Sequence, residues 1–265
     1  MTDPRTLVRA YLEQQRLLGG DSVVREAATA GREQPSAPPS APPPPSPPRV
    51  PVPVAEPPLP PPGTSWEPPV SADLFTKKDP VREAASLDDL ATLVAACTKC
   101  RLCESRTHTV PGEGPPDARL VVVGEGPGRT EDETGRPFVG QAGDLLTKIL
   151  AAIDLPRDRV YICNVVKCRP PENRVPQFDE IAACVPYLFR QIDLVRPKVI
   201  LAMGGTAAQT MLNSKQSLGA MRNQVHRFRG IPVIVTYHPA ALLRNPNWKK
   251  PTWDDVRIAR RLLDD

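Results

Sequence analysis

The feature that most constrains the fold is an alternation of short apolar runs with longer amphipathic segments in the C-terminal half of the chain. The apolar runs occupy residues 120–123, 160–163, 199–202 and 233–236, a further strand-like segment occupies residues 225–228, and helical patterns occupy residues 141–153, 178–195, 206–212 and 253–263. Strands that alternate with helices indicate βαβ units and a parallel sheet. We therefore predict an α/β fold: a three-layer αβα sandwich with a central, mainly parallel four-stranded sheet. Functional residues should follow the carboxyl ends of its strands.

The first part of the chain has a different composition. Of 35 prolines, set against only 16 glycines, about half fall between Pro35 and Pro69. Proline lacks an amide donor, so such a segment can neither form a strand ladder nor bury enough apolar surface to offset its ordering entropy. We predict a disordered Pro-rich linker over residues 31–83. A dedicated ligand for a proline-reading module is the alternative.

Helical patterns flank this linker. Residues 1–30 contain a short amphipathic pattern, which is either a docking peptide or a marginal isolated helix. On the other side, Ser86 followed by Asp89 is typical of a capped helix start. We expect the compact domain to span residues 84–265.

Charge and hydropathy limit the partners. The formal net charge of +4 permits nucleic-acid binding without requiring it. The N-terminus lacks the apolar core of a signal peptide, and no run of about 18 apolar residues occurs. We therefore expect a soluble, cytoplasmic protein with no membrane partner.

The six cysteines point to a metal site, because cysteines of a cytosolic chain are more often metal ligands or buried thiols than disulfides. One complete four-ligand site leaves two of them spare. Cys163 falls in an apolar run and Cys103 is the second candidate for a spare thiol. The other four are Cys97, Cys100, Cys168 and Cys184. Their spacing suits tetrahedral zinc or a 4Fe-4S cluster and does not choose between them.

Four residues with side chains suited to catalysis or base contact lie at the ends of predicted strands or ahead of a predicted helix. Glu125 lies in a glycine-rich loop directly after the first run, where it is an acid, a base, a water holder or merely a solvated turn residue. Phe138 stands between two glycines ahead of a helix, where it could stack on a planar base or belong to the core. Asn164 ends the second run, and its amide can donate and accept or simply form a turn. His238 follows the last run and could donate to an oxygen that gains charge, although a lone histidine is more often structural.

Two segments suit contact with a nucleic-acid backbone. Residues 167–174 are basic and proline-rich, and Arg169 and Arg174 are the candidates for phosphate contacts. Residues Leu242, Leu243 and Arg244 follow His238, and the leucines could wedge into an opened base stack.

Together these segments resemble the family 4 uracil-DNA glycosylases over roughly residues 90–264. The motifs CTKCRLCESR, GEGPG, GRPFVGQAGDLL, YICNVVKCRPPENR and HPAALLRNP occur in the order and spacing of that family. The resemblance implies a DNA-repair hydrolase that cleaves the N-glycosidic bond of uracil in DNA. It also implies a 4Fe-4S cluster on Cys97, Cys100, Cys168 and Cys184, with Cys103 and Cys163 outside the ligand set.

The same resemblance implies roles in the pocket. Phe138 should stack on uracil, Asn164 should read its edge, and His238 should stabilise the departing O2. Gly126 and Glu131 should line the pocket, where Glu131 is expected to help exclude the thymine methyl group. Glu125 is the first choice for orienting the attacking water. The cluster is expected to shape a DNA-binding loop rather than to act in redox catalysis.

Other functions stay open from the sequence. A covalent uracil-binding branch of the superfamily carries a basic insertion with a reactive histidine, whereas this chain has only His226 between Met203 and Tyr237. A non-catalytic DNA-binding module with zinc and an electron-transfer protein are the remaining alternatives. We expect uracil-containing DNA as the partner, a monomeric, nucleoid-associated prokaryotic enzyme, and a replication or repair protein bound through the N-terminal segment.

Overall fold

The computed structural model describes residues 79–264, which fold around a five-stranded sheet in the order β2-β1-β3-β5-β4. The strands are β1 (Leu120–Gly124), β2 (Val160–Asn164), β3 (Val199–Met203), β4 (Val225–Phe228) and β5 (Ile231–Thr236). β2, β1, β3 and β5 run parallel, and β4 pairs with β5 in the antiparallel direction. The α/β class and the mainly parallel sheet are confirmed.

The sheet has five strands rather than the predicted four, because residues 225–228 pair with the last apolar run as a hairpin. Arg229 and Gly230 connect them with φ angles of 49° and 84°. Two consecutive positive φ values are typical of the tight turns that match the twist of paired strands. The antiparallel strand β4 is thereby added to one edge of the four parallel strands.

Helices cover both faces of the sheet. They are α1 (Pro80–Glu83), α2 (Leu87–Ala95), α3 (Arg129–Thr134), α4 (Gln141–Ala151), α5 (Phe178–Val195), α6 (Gly205–Leu212), α7 (Leu218–Met221), α8 (Pro239–Arg244) and α9 (Lys249–Asp264). Successive side chains of a strand point to opposite faces. Accordingly, Val121 and Val123 pack with α2, α5 and α6, whereas Leu120 and Val122 pack with α4, α8 and α9. These two apolar cores make the three-layer sandwich.

The folded region includes residues ahead of the predicted boundary at residue 84. Asp79 caps α1 by accepting a hydrogen bond from the Val81 amide at 3.1 Å, and Pro80 occupies the first turn, where its missing amide costs nothing. Val81 is buried, and Arg190 of α5 donates two hydrogen bonds to the Ala84 carbonyl. Residues 79–83 therefore belong to the domain and not to the linker. The predictions for residues 1–78 lie outside the described residues.

Most predicted helix bounds are confirmed. Ser86 and Asp89 form a reciprocal capping box at the start of α2, as predicted. α5 has the predicted bounds, whereas α9 begins at Lys249 instead of Trp253. Within residues 79–264, none of the helices is long and apolar enough to cross a membrane.

Candidate active site

A cleft of about 790 Å³ opens where the carboxyl ends of β1, β2, β3 and β5 meet. Loops that leave parallel strands converge at this edge of a sheet. The cleft brings together all five residues predicted for the pocket and Glu125. These are Glu125, Gly126, Glu131, Phe138, Asn164 and His238.

Asn164 forms the buried end of the cleft. Its side chain is 1% exposed, and Oδ1 is a buried polar atom without a hydrogen-bond partner in the described part of the protein. Such a group costs about 1–3 kcal/mol, which a ligand donor would recover. A Cβ atom on Gly124 would lie 2.4 Å from this oxygen and 2.6 Å from Cζ of Phe138. Glycine at position 124 therefore leaves room for the amide and the aromatic ring side by side.

Phe138 is held in an unfavourable backbone conformation. Its φ is 51°, in the left-handed region that a bulky residue rarely adopts, and the residue is 5% exposed. The surrounding loop is fixed on both sides: Arg157 donates to the Pro137 carbonyl at 2.6 Å, and a Cβ atom on Gly143 would lie only 1.8 Å from the Phe138 carbonyl oxygen. Strain that the surroundings enforce is common at functional sites.

Glu131 braces the same loop. Its carboxylate accepts hydrogen bonds from the amides of Val139 and Gly140, each at 2.9 Å, and from the Gly128 amide at 3.1 Å. The side chain thus joins the start of α3 to the start of α4. Glu131 lines the cleft as predicted, but its two oxygens are engaged with backbone donors.

His238 presents a neutral imidazole to the cleft. It is the N-cap of α8, where Nδ1 accepts a hydrogen bond from the Ala240 amide at 3.2 Å. Burial, reinforced by repulsion from Arg244, lowers the pKa of His238 to about 4. Because Nδ1 is an acceptor in a neutral ring, the proton resides on Nε2, which becomes a donor. The His238 ring lies 5.4 Å from the Phe138 ring, centroid to centroid.

Glu125 is oriented by a residue that the sequence analysis did not single out. The Thr206 hydroxyl, in the first turn of α6, donates to Oε2 of Glu125 at 2.5 Å. The signal was available, because Thr206 follows β3 at the same sheet edge as the other site residues. Gly126 allows close packing here, since a Cβ atom would lie 2.8 Å from Val166.

The four cysteines predicted as ligands line one cavity next to the α2 C-terminus. They are Cys97, Cys100, Cys168 and Cys184. Two amide or guanidinium donors approach their sulfur atoms: the Lys167 amide lies 3.3 Å from Sγ of Cys184, and Nη1 of Arg106 lies 3.2 Å from Sγ of Cys168. Hydrogen bonds of this kind to cysteine sulfur tune iron-sulfur clusters.

The arrangement of the cysteines distinguishes a site for a single metal ion from a site for a cluster. Within residues 79–264, no three His, Cys, Asp or Glu side chains are grouped closely enough for one metal ion. In a 4Fe-4S cluster each thiolate binds a different iron, so the ligands do not converge on one point. The donor set and the shared cavity fit such a cluster. Cys103 also borders the cavity, whereas Cys163 is fully buried in β2.

A family model described as the uracil DNA glycosylase superfamily matches residues 111–258, more than half of the chain. The chain belongs to the uracil-DNA glycosylase superfamily. A Type-4 uracil-DNA glycosylase of Thermotoga maritima is 51% identical over 174 residues, which cover 64% of this chain and 91% of that protein. Type-4 enzymes of Sulfurisphaera tokodaii and Archaeoglobus fulgidus are 46% and 43% identical over 67% and 65% of this chain, covering 84% and 90% of their own lengths. The resemblance to family 4 is confirmed.

The structure corrects one residue predicted to contact DNA. Leu242 is 1% exposed and packs in the core against α4 and α9, because it lies on the inner face of α8. It cannot wedge into a base stack. Its neighbour Leu243 is 48% exposed, and Arg244 lies at the cleft wall. These two side chains are exposed beside the cleft.

The segment after Cys168 is held by internal contacts. Arg174 lines the cleft, but its guanidinium binds the buried carboxylate of Glu180 through two hydrogen bonds of 2.8 and 2.6 Å. These bonds lower the pKa of Glu180 to about 2. Arg169 donates to Asn173 at 2.8 Å. Lys167, which the sequence places in the same basic segment, is buried and donates to the Asn164 carbonyl, so it cannot reach a phosphate.

An aromatic pair at the cleft wall also escaped sequence analysis. Tyr237 and Trp248 stack with ring centroids 4.7 Å apart and an interplanar angle of 4°. Tyr237 immediately precedes His238, which was a usable signal. The position of Trp248 depends on how the chain turns after α8, and no local pattern indicates it.

Proposed function

We propose that this protein is a family 4 uracil-DNA glycosylase that hydrolyses the N-glycosidic bond of uracil in DNA and leaves an abasic site. The observation that carries the proposal is the unpaired, buried Oδ1 of Asn164 at the closed end of the cleft. A pocket that keeps such an acceptor without a protein partner suits a ligand that donates. The N3–H of uracil is such a donor, and the amide nitrogen of Asn164 would meet the neighbouring O4.

Access to this pocket requires an extrahelical nucleotide. A base inside a duplex cannot reach a buried amide, and flipping it out costs a few kcal/mol, least for a mispaired base. Phe138 lies beside the Asn164 amide and offers a ring on which the flipped uracil stacks. The hydrogen bonds that Glu131 accepts from Val139 and Gly140 fix the loop and hence the position of the Phe138 ring. We propose that Glu131 helps to exclude the thymine methyl group by keeping this side of the pocket rigid.

Bond cleavage leaves negative charge on the uracil ring and positive charge on the sugar. The neutral His238 supports stabilisation of that anion, because its Nε2–H can donate to O2 as charge develops there. The helix cap on Nδ1 holds this tautomer without a carboxylate partner. His238 thus acts as a preorganised donor and need not be a cation.

Water then attacks C1′ of the sugar cation. Glu125 is the residue we propose to orient it, because Thr206 fixes one carboxylate oxygen and the residue lines the cleft. The second oxygen has no hydrogen bond to the described residues. A cationic sugar is a strong electrophile, so positioning of water is sufficient and no strong base is required.

The cysteine cavity would hold a 4Fe-4S cluster on Cys97, Cys100, Cys168 and Cys184. Such a group would supply a covalent cross-link between α2, α5 and the loop that leaves β2. Cys168 precedes Pro170 and Arg174, which line the uracil cleft. We therefore propose that these ligands shape the cleft wall that faces DNA rather than transfer electrons.

Contacts with the DNA backbone are proposed for Arg169, Arg174 and Arg244, and Leu243 is the proposed wedge. Arg244 and Leu243 are exposed next to the cleft. Arg174 contributes with the part of its guanidinium that Glu180 leaves accessible, since its side chain is 33% exposed.

The covalent alternative lacks a suitable histidine. All three histidines lie in the described residues. Nε2 of His226 lies 2.7 Å from the Met221 carbonyl, and Nδ1 of His108 lies 3.0 Å from the Asp132 carbonyl, both outside the cleft lining. Hydrolysis with turnover is therefore preferred to covalent capture.

The test is alkaline-gel cleavage of a labelled duplex with one U·G pair. Wild-type protein should leave an abasic site. His238→Ala should lower the rate about 10²- to 10³-fold, the range for losing one donor to a developing anion, and Asn164→Ala should lower it at least as much. His226→Ala is the matched control and should retain the wild-type rate. Retardation of DNA without uracil release would replace the enzyme by a binding module.

We also propose a partner for the N-terminal segment and a cellular location. The Type-4 relatives are covered over 84–91% of their length yet match only 64–67% of this chain, so this protein carries additional sequence. Its amphipathic pattern supports docking to a replication or repair protein at the nucleoid of a prokaryotic cytoplasm. A monomer is sufficient, since one chain supplies every cleft residue. Deleting residues 1–78 without loss of any pull-down partner would refute the docking role.

A further inference from the structure

A stacked aromatic pair at the uracil cleft has no role in the chemistry described above. Trp248 is among the few large apolar residues of the described chain that remain exposed, at 37%. One ring face rests on Tyr237 at 4.7 Å with the planes 4° apart. Its exposure therefore belongs to the opposite face and the ring edges, and both residues line the cleft that holds His238.

The pair is rigidly supported from below. Arg222 lies 4.3 Å from the Tyr237 ring centroid, and its Nε is 2.7 Å from Oδ2 of the fully buried Asp255. The Trp248 carbonyl accepts a hydrogen bond from the buried Thr252 hydroxyl at 2.8 Å. The Arg222 guanidinium, the Tyr237 ring and the Trp248 indole thus form a three-layer stack. The outer face of the indole has no stacking partner among the described residues.

We propose that the open face of Trp248 stacks on the unpaired nucleobase next to the flipped uridine. The proposal rests on the glycosylase function, since the cleft would hold the uracil itself. Tyr237 directly precedes His238 in sequence, and Trp248 lines the same cleft as His238. A nucleotide next to the flipped uridine in the same strand would lie against this wall. Arg244 on the same wall adds positive charge for the intervening phosphate.

A nucleobase is the occupant that this surface fits. A flat, open indole face accepts any of the four bases, because each base has a π-face, and it requires no sequence-specific hydrogen bonds. The stack would keep the flanking base ordered when its own pairing partner is lost. The stack should therefore contribute most to the binding of single-stranded or locally opened DNA.

The test is a cycle between protein and DNA variants. Binding is measured by fluorescence anisotropy with a labelled single-stranded oligonucleotide that contains one non-cleavable 2′-fluoro-deoxyuridine. In one version both neighbours of this nucleotide carry bases, and in the other both are abasic tetrahydrofuran units. Trp248→Ala should weaken binding about 5- to 150-fold on the first, the range for one lost base stack, and less than about twofold on the second.

Two further variants separate stacking from folding. Trp248→Phe keeps an aromatic face and should recover most of the affinity. Val225→Ala removes a comparably exposed apolar side chain from β4, outside the cleft, and should bind both oligonucleotides as the wild type does. Equal weakening of Trp248→Ala on both oligonucleotides, or no weakening on either, would overturn the proposal.

Uracil release by the wild type is measured in parallel on a U·G duplex. Absence of release refutes the proposed function, and the binding cycle still decides whether Trp248 stacks on a base. If uracil is released but Trp248→Ala binds both oligonucleotides with the same loss of affinity, only the stacking proposal is refuted.

Discussion

The substitution Gly143→Ala tests whether the strained position of Phe138 is needed for uracil excision. Alanine favours helices over glycine by about 1 kcal/mol, so a glycine inside α4 has a local cost. The structure explains why glycine occupies this position, because an added Cβ would lie 1.8 Å from the Phe138 carbonyl oxygen and 2.1 Å from its carbonyl carbon. Non-bonded contacts below 3.0 Å are essentially never seen for real Cβ atoms, so the Phe138 backbone must retreat by more than 1 Å.

A misplacement of about 1 Å in a positioning group can lower a rate about 10²-fold. We therefore expect the single-turnover rate constant for uracil release by Gly143→Ala to fall about 10²-fold. The free energy of unfolding should change by only about 1–2 kcal/mol, since overpacking and the gain in helix propensity oppose each other. Thermal unfolding monitors the second quantity.

Ala151→Gly is the matched control. Ala151 is an exposed residue of the same helix and does not line the cleft, so the change alters helix propensity without altering the contact with Phe138. This variant should cleave as the wild type does. Activity of Gly143→Ala within about threefold of the wild type would show that Phe138 tolerates displacement, and the argument for a preorganised stacking ring would fail.

Three further predictions follow from burial and protonation. Leu242→Ala should destabilise the protein by about 2–5 kcal/mol as a core truncation, whereas Leu243→Ala should leave the unfolding temperature unchanged and slow excision from duplex more than from single-stranded DNA. Because the folded-state pKa of His238, about 4, lies below its ordinary value of 6.5, the folded state disfavours its protonation. Stability should be full above pH 6.5 and fall by at most about 3 kcal/mol toward pH 4, a loss that His238→Gln removes in chemical denaturation. Cys184→Ser should abolish absorption near 400 nm and its associated iron content, whereas Cys163→Ser should retain both, as measured on anaerobically purified protein.

The fold was largely predictable because its signals are local. Each buried strand is a run of mostly apolar residues that includes β-branched Val or Ile, and each long helix repeats its apolar positions with helical spacing. The parallel arrangement follows from the alternation of the two. The hairpin of β4 and β5 was the exception. β4 contains His226 and Arg227 and is therefore not an apolar run. Arg229 takes a left-handed conformation that its residue type does not indicate, so the pairing of β4 with β5 was not predicted.

The residues of the uracil cleft were also predictable, since parallel strands bring their carboxyl ends to one edge. Glu125, Asn164 and His238 each follow a different strand, and this alone places them together. The four cysteines could be grouped by their spacing and by resemblance. The sequence therefore determined which residues meet and which family they represent.

Only the tertiary structure decided what each side chain does there. Leu242 and Leu243 are identical in type and adjacent in sequence, yet α8 packs with one facing the core and the other facing solvent. The two carboxylate oxygens of Glu131 are engaged by amides at the starts of α3 and α4, and the proton of His238 is directed to Nε2 by a helix cap. The Glu131 and His238 hydrogen bonds join residues only two to nine positions apart, but the sequence does not show which of the possible local hydrogen bonds a loop adopts. Which face of α8 is buried depends on the angle and depth at which separate elements pack. Sequence patterns therefore identify the site but not its protonation or its open surfaces.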